Sequence, residues 1–305
     1  NEPMIGLDKG MNKVLVIGGC GYIGSALVSL LRKQSVDCVS LDSHIFKCTG
    51  TNKCIDKNYN ILTESDILSY DLIILLAGCS SVGMSSNYDI TFRENVINFF
   101  NLVKILSKNQ LLIYASSSSV YGVTDTAKET DKLVTPFNNY DFTKQTIDHI
   151  ASFCDKNVVG LRFGTVSGFS ENFRDDLIIN GMTINALANK KITISNENSF
   201  RTVLDISDLC AGIYKMISNP DMIKHKIYNM GSYSGSIGDI GQQIQSLTDC
   251  TIINNDTFKS NYSFTVNCDL FKNTFDFEFL GNVKTIFEGI KNNFTDIKFF
   301  NKRIL

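Results

Sequence analysis

A glycine-rich turn between a strand-like run and a helix-like run constrains this chain more than any other feature. Residues 13–17 (KVLVI) are a short, continuous apolar stretch of the kind that forms a strand buried on both faces. Gly18, Gly21 and Gly24 follow in VIGGCGYIGS with G-x-x-G-x-x-G spacing, and a helix-period stretch then covers 22–31. Glycine lets the backbone turn tightly and come close to a pyrophosphate, and the next helix offers its free N–H groups to the anion. A glycine pattern alone is weak evidence, but a strand before it and a helix after it are the context a dinucleotide site needs. Asp42 closes a second strand-like run, 36–42, 18 positions after Gly24. A carboxylate there accepts hydrogen bonds from the adenosine ribose and repels the 2′-phosphate of NADP, so the combination favours NAD.

The same alternation continues along the chain. DLIILLAG (71–78), QLLIYAS (110–116) and NVVGLRF (157–163) read as further buried strands. Residues 88–107 and 138–154 read as helices, the first with Ile90, Val96, Phe99, Val103 and Leu106 at helical spacing. Strands alternating with helices imply right-handed crossovers and a parallel sheet, so the expected fold is α/β, doubly wound, of the Rossmann type. After Gly164 the regularity weakens. A helix over 176–189, a strand at 191–194, a helix over 206–218, a strand at 226–229 and another at 263–267 are expected there. The domain reading is a dinucleotide-binding unit over 12–165, its sheet completed by 202–232. A smaller α/β substrate lobe is built from 166–201 and 233–305. Residues before Met11 are left out of this reading.

Composition narrows the function classes. A net charge of −2 gives no bulk attraction to nucleic acid or anionic membrane, so any grip on phosphate has to be local. No apolar run approaches the ~20 residues of a membrane span, and the start of the chain lacks the parts of a signal peptide. The nine cysteines show no metal-like pairing; Cys48 and Cys54 are not spaced as C-x-x-C. Reduced thiols, no metal and a cytoplasmic location are the expectation.

Two weak signals carry the chemistry. Tyr140 and Lys144 in YDFTK stand four apart at the start of a helix, which puts them on one face. An ammonium beside a phenol favours the phenolate, and a phenol titrating near ~10 needs that help to act as a base near neutral pH. The strand 110–116 runs into SSSSVYG, which places serine hydroxyls at the carboxyl end of a parallel strand, where such sheets bind ligands.

With these in order behind a dinucleotide turn, the chain resembles the extended short-chain dehydrogenase/reductase family, in its NAD-dependent epimerase/dehydratase group. The resemblance lies in VIGGCGYIGS, LDSH, LLAG, RENVINFFNL, YASSSSVYG, YDFTK, LRFGTVSG and RTVLDISDL, with a weaker tail near Asp269–Gly289. It implies Tyr140 as catalytic base and acid, Lys144 as its partner on the nicotinamide ribose, and Ser117 as a hydrogen-bond partner of the reacting sugar oxygen. It implies Gly18, Gly21, Tyr22, Ile23, Gly24, Asp42, Leu76, Ala77 and Asn95 on the cofactor side. It implies Thr165 and Arg201 toward a nucleotide-sugar substrate, and a homodimer through helices 88–107 and 138–154.

The departures bear on the reaction. Family dehydratases carry an Asp-Glu pair where Ser118 and Ser119 stand, so the groups that eliminate water are missing. Related decarboxylases carry a Glu, and the GDP-fucose synthase type a Cys, at Ser119. Thr165 replaces an Asn of the UDP-glucose 4-epimerases, Asn60 an Asp near the adenine, and Leu75 a frequent His. The expectation is an epimerase that inverts C4 of a nucleotide sugar through a transient 4-keto sugar. A 4-ketosugar reductase on the same residues is the rival, and a non-catalytic dinucleotide-binding protein stands further back.

Overall fold

Seven parallel strands form the centre of the molecule: β1 (Lys13–Ile17), β2 (Asp37–Asp42), β3 (Cys54–Asp56), β4 (Leu72–Leu75), β5 (Leu111–Ser117), β6 (Asn157–Phe163) and β7 (Ile227–Met230). The computed structural model describes residues 13–43, 54–255, 262–296 and 298–299; the segment before Met11 and Cys48, both read above, lie outside these. Across the sheet the order is β7-β6-β5-β4-β1-β2-β3, and every neighbouring pair is parallel. The order reverses between β1 and β4, and that switch point opens a crevice at the carboxyl ends of the strands.

The central strands are mainly apolar because helices cover both faces. Val14, Val16, Ile74, Ile113 and Leu161 face one core with Leu27 and Leu31 of the helix Tyr22–Lys33. Leu15, Ile17, Ile73, Leu75 and Leu112 face the other with Phe99, Leu102 and Ile147. Each such side chain stabilises the fold by about 1.5–3 kcal/mol. The edge strand β3 was not expected; its three residues, CID, are largely exposed and carry no apolar pattern to announce it.

The helix expected over 88–107 is Tyr88–Phe92 and Asn98–Ile105 joined by a π-helical turn, Arg93–Ile97. Such turns cluster at functional sites, and this one holds Asn95. The second expected helix is Asn139–Phe153, capped by Asn138, whose side chain accepts from the Asp141 N–H. A separate apolar core joins Phe173, Ile179, Ile192, Val203, Ile240 and Phe287. Strand Phe200–Asp205, unexpected from RTVLD, pairs with Thr165–Ser167 and Tyr233–Ser236. Strand Ser263–Val266 pairs with Val123–Ala127, and Phe264 within it and Tyr262 just before it line the crevice. No helix among the described residues is long and apolar enough to cross a membrane.

Candidate active site

The cofactor cleft starts from the glycine turn. Gly18 sits at φ +85°, in the left-handed region, and a side chain there would run into the backbone of Ala77. A Cβ on Gly24 would stand 2.0 Å from the Gly18 carbonyl oxygen, so the third glycine lets helix Tyr22–Lys33 press against the turn. That helix is capped by Gly21 with no side-chain bond to its first N–H groups, which leaves them available to an anion. Asp42 accepts from the Cys20 N–H at 2.9 Å and lies at the far end of the cleft. The cleft has a volume of about 340 Å³ and is lined by Gly18, Gly21, Ile23, Asp42, Leu76 and Ala77, among others. A tight turn, an uncapped helix end and a carboxylate at the tip of β2 suit a dinucleotide without a 2′-phosphate.

Cys20 is disulfide-bonded, which corrects the expectation that all nine thiols are reduced. The fold also brings the Cys54 sulfur within 3.4 Å of the Cys20 sulfur. Sequence spacing does not show such neighbours, because they come from different crossovers.

Beyond Leu76 and Ala77 the cleft continues into a second cavity of about 250 Å³. Ser117 enters it from the end of β5, and Tyr140 and Lys144 from the first turns of helix Asn139–Phe153. Lys144 Nζ lies 5.7 Å from the Tyr140 ring centre and donates to the Ala115 carbonyl at 2.7 Å. Burial raises the Tyr140 phenol above its ordinary value, opposed by a hydrogen bond with Ser117 and by the charge of Arg174. Burial also lowers Lys144 to about 8, with Asp148 working against the fall.

The Lys144 shift has a stability consequence. Below pH about 8 the ammonium is charged in both folded and unfolded chains and carries a desolvation cost only in the fold. Above its ordinary 10.5 it is neutral in both. Lys144→Met is expected to raise the unfolding free energy at neutral pH by about 3 kcal/mol, a gain that fades between pH about 8 and 10.5, while turnover falls. Denaturant titrations across that range check the sign.

Thr165 and Arg201 line the second cavity. Arg201 lies 5.9 Å from the Tyr262 ring centre and 5.6 Å from that of Phe264, and it donates to the Tyr262 carbonyl. Tyr22 faces both cavities, yet its hydroxyl is turned away and donates to the Gly168 carbonyl at 2.7 Å. The structure places Asn95 behind the cleft rather than on it. Its side chain accepts from Cys79 N–H at 2.8 Å and donates to the Cys79 carbonyl and to Thr143, pinning the loop after β4 to helix Asn139–Phe153.

Three groups at the site were not foreseen. Arg174 lines both cavities, pairs with Asp176 through two nitrogens and donates to Ser80. It lies in an irregular segment with no motif. Tyr262 lines the second cavity from a distant part of the chain. Asp141 is buried beside Tyr140 and accepts from Ser119 at 2.7 Å and from Tyr262. Among the described residues no group of three or more His, Cys, Asp or Glu is placed to hold a metal.

Residues 14–231 match the NAD dependent epimerase/dehydratase family. The chain belongs to this family. The protein is therefore an enzyme of the NAD-dependent epimerase/dehydratase type, and its cofactor is NAD. It is similar to a GDP-6-deoxy-D-talose 4-dehydrogenase of Aggregatibacter actinomycetemcomitans, 27% identical over 233 residues, covering 72% of this chain and 74% of that protein. It is also similar to a UDP-glucose 4-epimerase of Lactobacillus helveticus, 30% identical over 179 residues; the match spans about half of each, 52% and 53%. A solved UDP-glucuronic acid 4-epimerase from Bacillus cereus, in complex with UDP-glucuronic acid and NAD, shares the fold with a TM-score of 0.81 at 21% identity. That match covers 93% of this chain and 99% of the solved one.

Proposed function

We propose that this family member is an epimerase of a nucleotide-linked sugar, inverting C4 through a transient 4-keto sugar. One observation carries the reading: Ser117, Tyr140 and Lys144 meet in a cavity continuous with the dinucleotide cleft, the two sharing Tyr22, Ile23, Leu76 and Ala77. NAD, when bound, supplies reversible hydride chemistry. Tyr140 takes the proton of the C4 hydroxyl and returns it, and Lys144 tunes that exchange by its charge. Thr165 and Arg201 stand on the substrate side, where Arg201 offers a buried cation to a diphosphate. Ser118 and Ser119 replace the acid and base of a water elimination, which argues against dehydration.

In this reading 12–165, with 202–232, holds the cofactor, and 166–201 with 233–305 selects the sugar. Incubation with a panel of UDP-, GDP-, dTDP- and CDP-sugars, followed by separation of products, is the test. Interconversion of two nucleotide sugars without net use of cofactor is the expected result. Tight NAD binding with no turnover of any of them would sink the proposal.

The likeness to a GDP-6-deoxy-D-talose 4-dehydrogenase supports a second reading, a 4-ketosugar reductase on the same residues. Consumption of reduced cofactor with a keto sugar would select it.

We also propose a homodimer through the two helices named above. Phe92 stacks on Tyr88 and on Phe142 there, and Tyr88, Ile97, Phe100 and Phe142 are exposed. Sedimentation equilibrium should give a dimer, reduced to monomer by Phe100→Glu; a monomeric parent protein would rule this out.

A further inference from the structure

Cys20 stands between Gly19 and Gly21 in the cofactor turn, is 3% exposed and is disulfide-bonded. A Cβ on Gly19 would stand 2.7 Å from the Ser40 hydroxyl, so glycine there lets the turn settle onto β2. Strand β3 pairs with β2 so that Cys54 is opposite Ser40 and Asp56 is opposite Asp42. That register lays the Cys54 thiol against Cys20, sulfur to sulfur at 3.4 Å. Cys54 is a free thiol, half-buried on an edge strand.

A thiolate exchanges with a disulfide by attacking one of its sulfurs. Groups held about 3–3.5 Å apart are already close to the geometry of attack. Buried Cys20 is closed to thiols in solution, whereas half-buried Cys54 touches it from the side open to solvent. Among the described residues the other free thiol that is not buried, Cys154, stands at the far end of helix Asn139–Phe153.

We infer that Cys20 and Cys54 form a thiol–disulfide exchange site on the cofactor turn, linked to NAD binding. Cys54 gives its proton to water, and its thiolate attacks the Cys20 sulfur. A Cys20–Cys54 bond forms and the present disulfide of Cys20 breaks. The electron pair of the broken bond leaves with the released sulfur, which takes up a proton. One disulfide and one thiol stand on each side, so the step needs no oxidant or reductant. Burial and then the charge of Asp42 on β2 raise the Cys54 thiol, and Asp56 on its own strand acts in the same sense. A hydrogen bond from the Asp42 backbone and the charge of Arg32 on helix Tyr22–Lys33 oppose them. Exchange is therefore slow at neutral pH and quickens as the pH rises.

The link to NAD runs through the backbone of Cys20. Its N–H donates to Asp42, and its carbonyl accepts from Asn172 Nδ2. Gly18, Gly21 and Asp42 line the cofactor cleft. A bond to Cys54 draws Cys20 toward β3, away from the place in which it holds Asp42. NAD fits the turn as it now stands, so it opposes the exchange. By linkage the exchanged form binds NAD more weakly by the same factor.

Peptide mapping tests this without any sugar substrate. The protein, purified without reductant, is held at about pH 9 with and without saturating NAD until its composition is constant. Free thiols are blocked with a maleimide, and peptic digestion under acid with mass spectrometry shows which cysteine is bonded to Cys20. The expected result is a peptide joining Cys20 to Cys54, whose ratio to the original linkage falls about 10-fold with NAD. Cys54→Ser should lack that peptide and bind NAD as the parent protein does. Absence of the joined peptide from the parent protein overturns the exchange. A joined peptide in the same or greater proportion with NAD overturns the link to the cofactor. Should Cys54→Ser fail to fold, the map of the parent protein decides both points by itself.

Discussion

Tyr140→Phe is expected to lower turnover about 10²–10⁴-fold while NAD still binds. The phenol lies in the second cavity, with the Lys144 ammonium beside its ring and Ser117 and Arg174 favouring loss of its proton. Phenylalanine keeps the ring and its place beside Lys144, so the cleft built by Gly18, Gly24 and Asp42 is untouched. Equilibrium binding of NAD beside steady-state kinetics on a turned-over nucleotide sugar separates the two effects. Full activity in the variant would end the mechanism; loss of NAD binding would mean that the ring, rather than its hydroxyl, does the work.

Asp148→Ala is expected to cost about 3–5 kcal/mol of folding stability. Asp148 is buried on helix Asn139–Phe153, one turn beyond Lys144. It accepts from Arg162 Nε of β6 at 2.9 Å and from the Tyr114 hydroxyl of β5 at 2.9 Å. Arg162 also donates to the Tyr121 hydroxyl at 2.7 Å, which donates in turn to Asn229 of β7. Alanine leaves the guanidinium and the Tyr114 hydroxyl buried without their acceptor. Replacing Arg162 by Met in the same chain removes the stranded charge, and should recover much of the loss. Chemical denaturation of the single and double variants measures both. A cost near zero for the single change would mean that water reaches the pair. The single change also removes the charge that supports the Lys144 ammonium, so Lys144 should titrate lower still.

How much of this could be read beforehand depends on distance along the chain. The glycine turn, Asp42, and the Tyr140–Lys144 pair are local patterns: each is a few residues whose spacing sets its own geometry. The alternation of apolar strands with helices is local too, and it carried the parallel sheet, while the strand order came from the structure. The resemblance named the family from those same stretches. Strand β3 escaped because an exposed edge needs no apolar pattern. The π-helical turn at Arg93–Ile97 escaped because one extra residue per turn barely disturbs helical periodicity.

What only the folded chain decided are the contacts between remote segments. Tyr262 lies 121 positions after Asp141 and donates to it. Arg174 reaches Ser80 across 94 positions, and Cys20 stands beside Cys54 across 34. A side chain's period reports which face it occupies and says nothing of what another crossover lays against that face. The amino-acid order alone thus determined the parallel alternation, the cofactor turn and the Tyr140–Lys144 pair. Tertiary packing determined what surrounds that pair, because Tyr262 and Arg174 reach the cavity from segments that no local pattern ties to it.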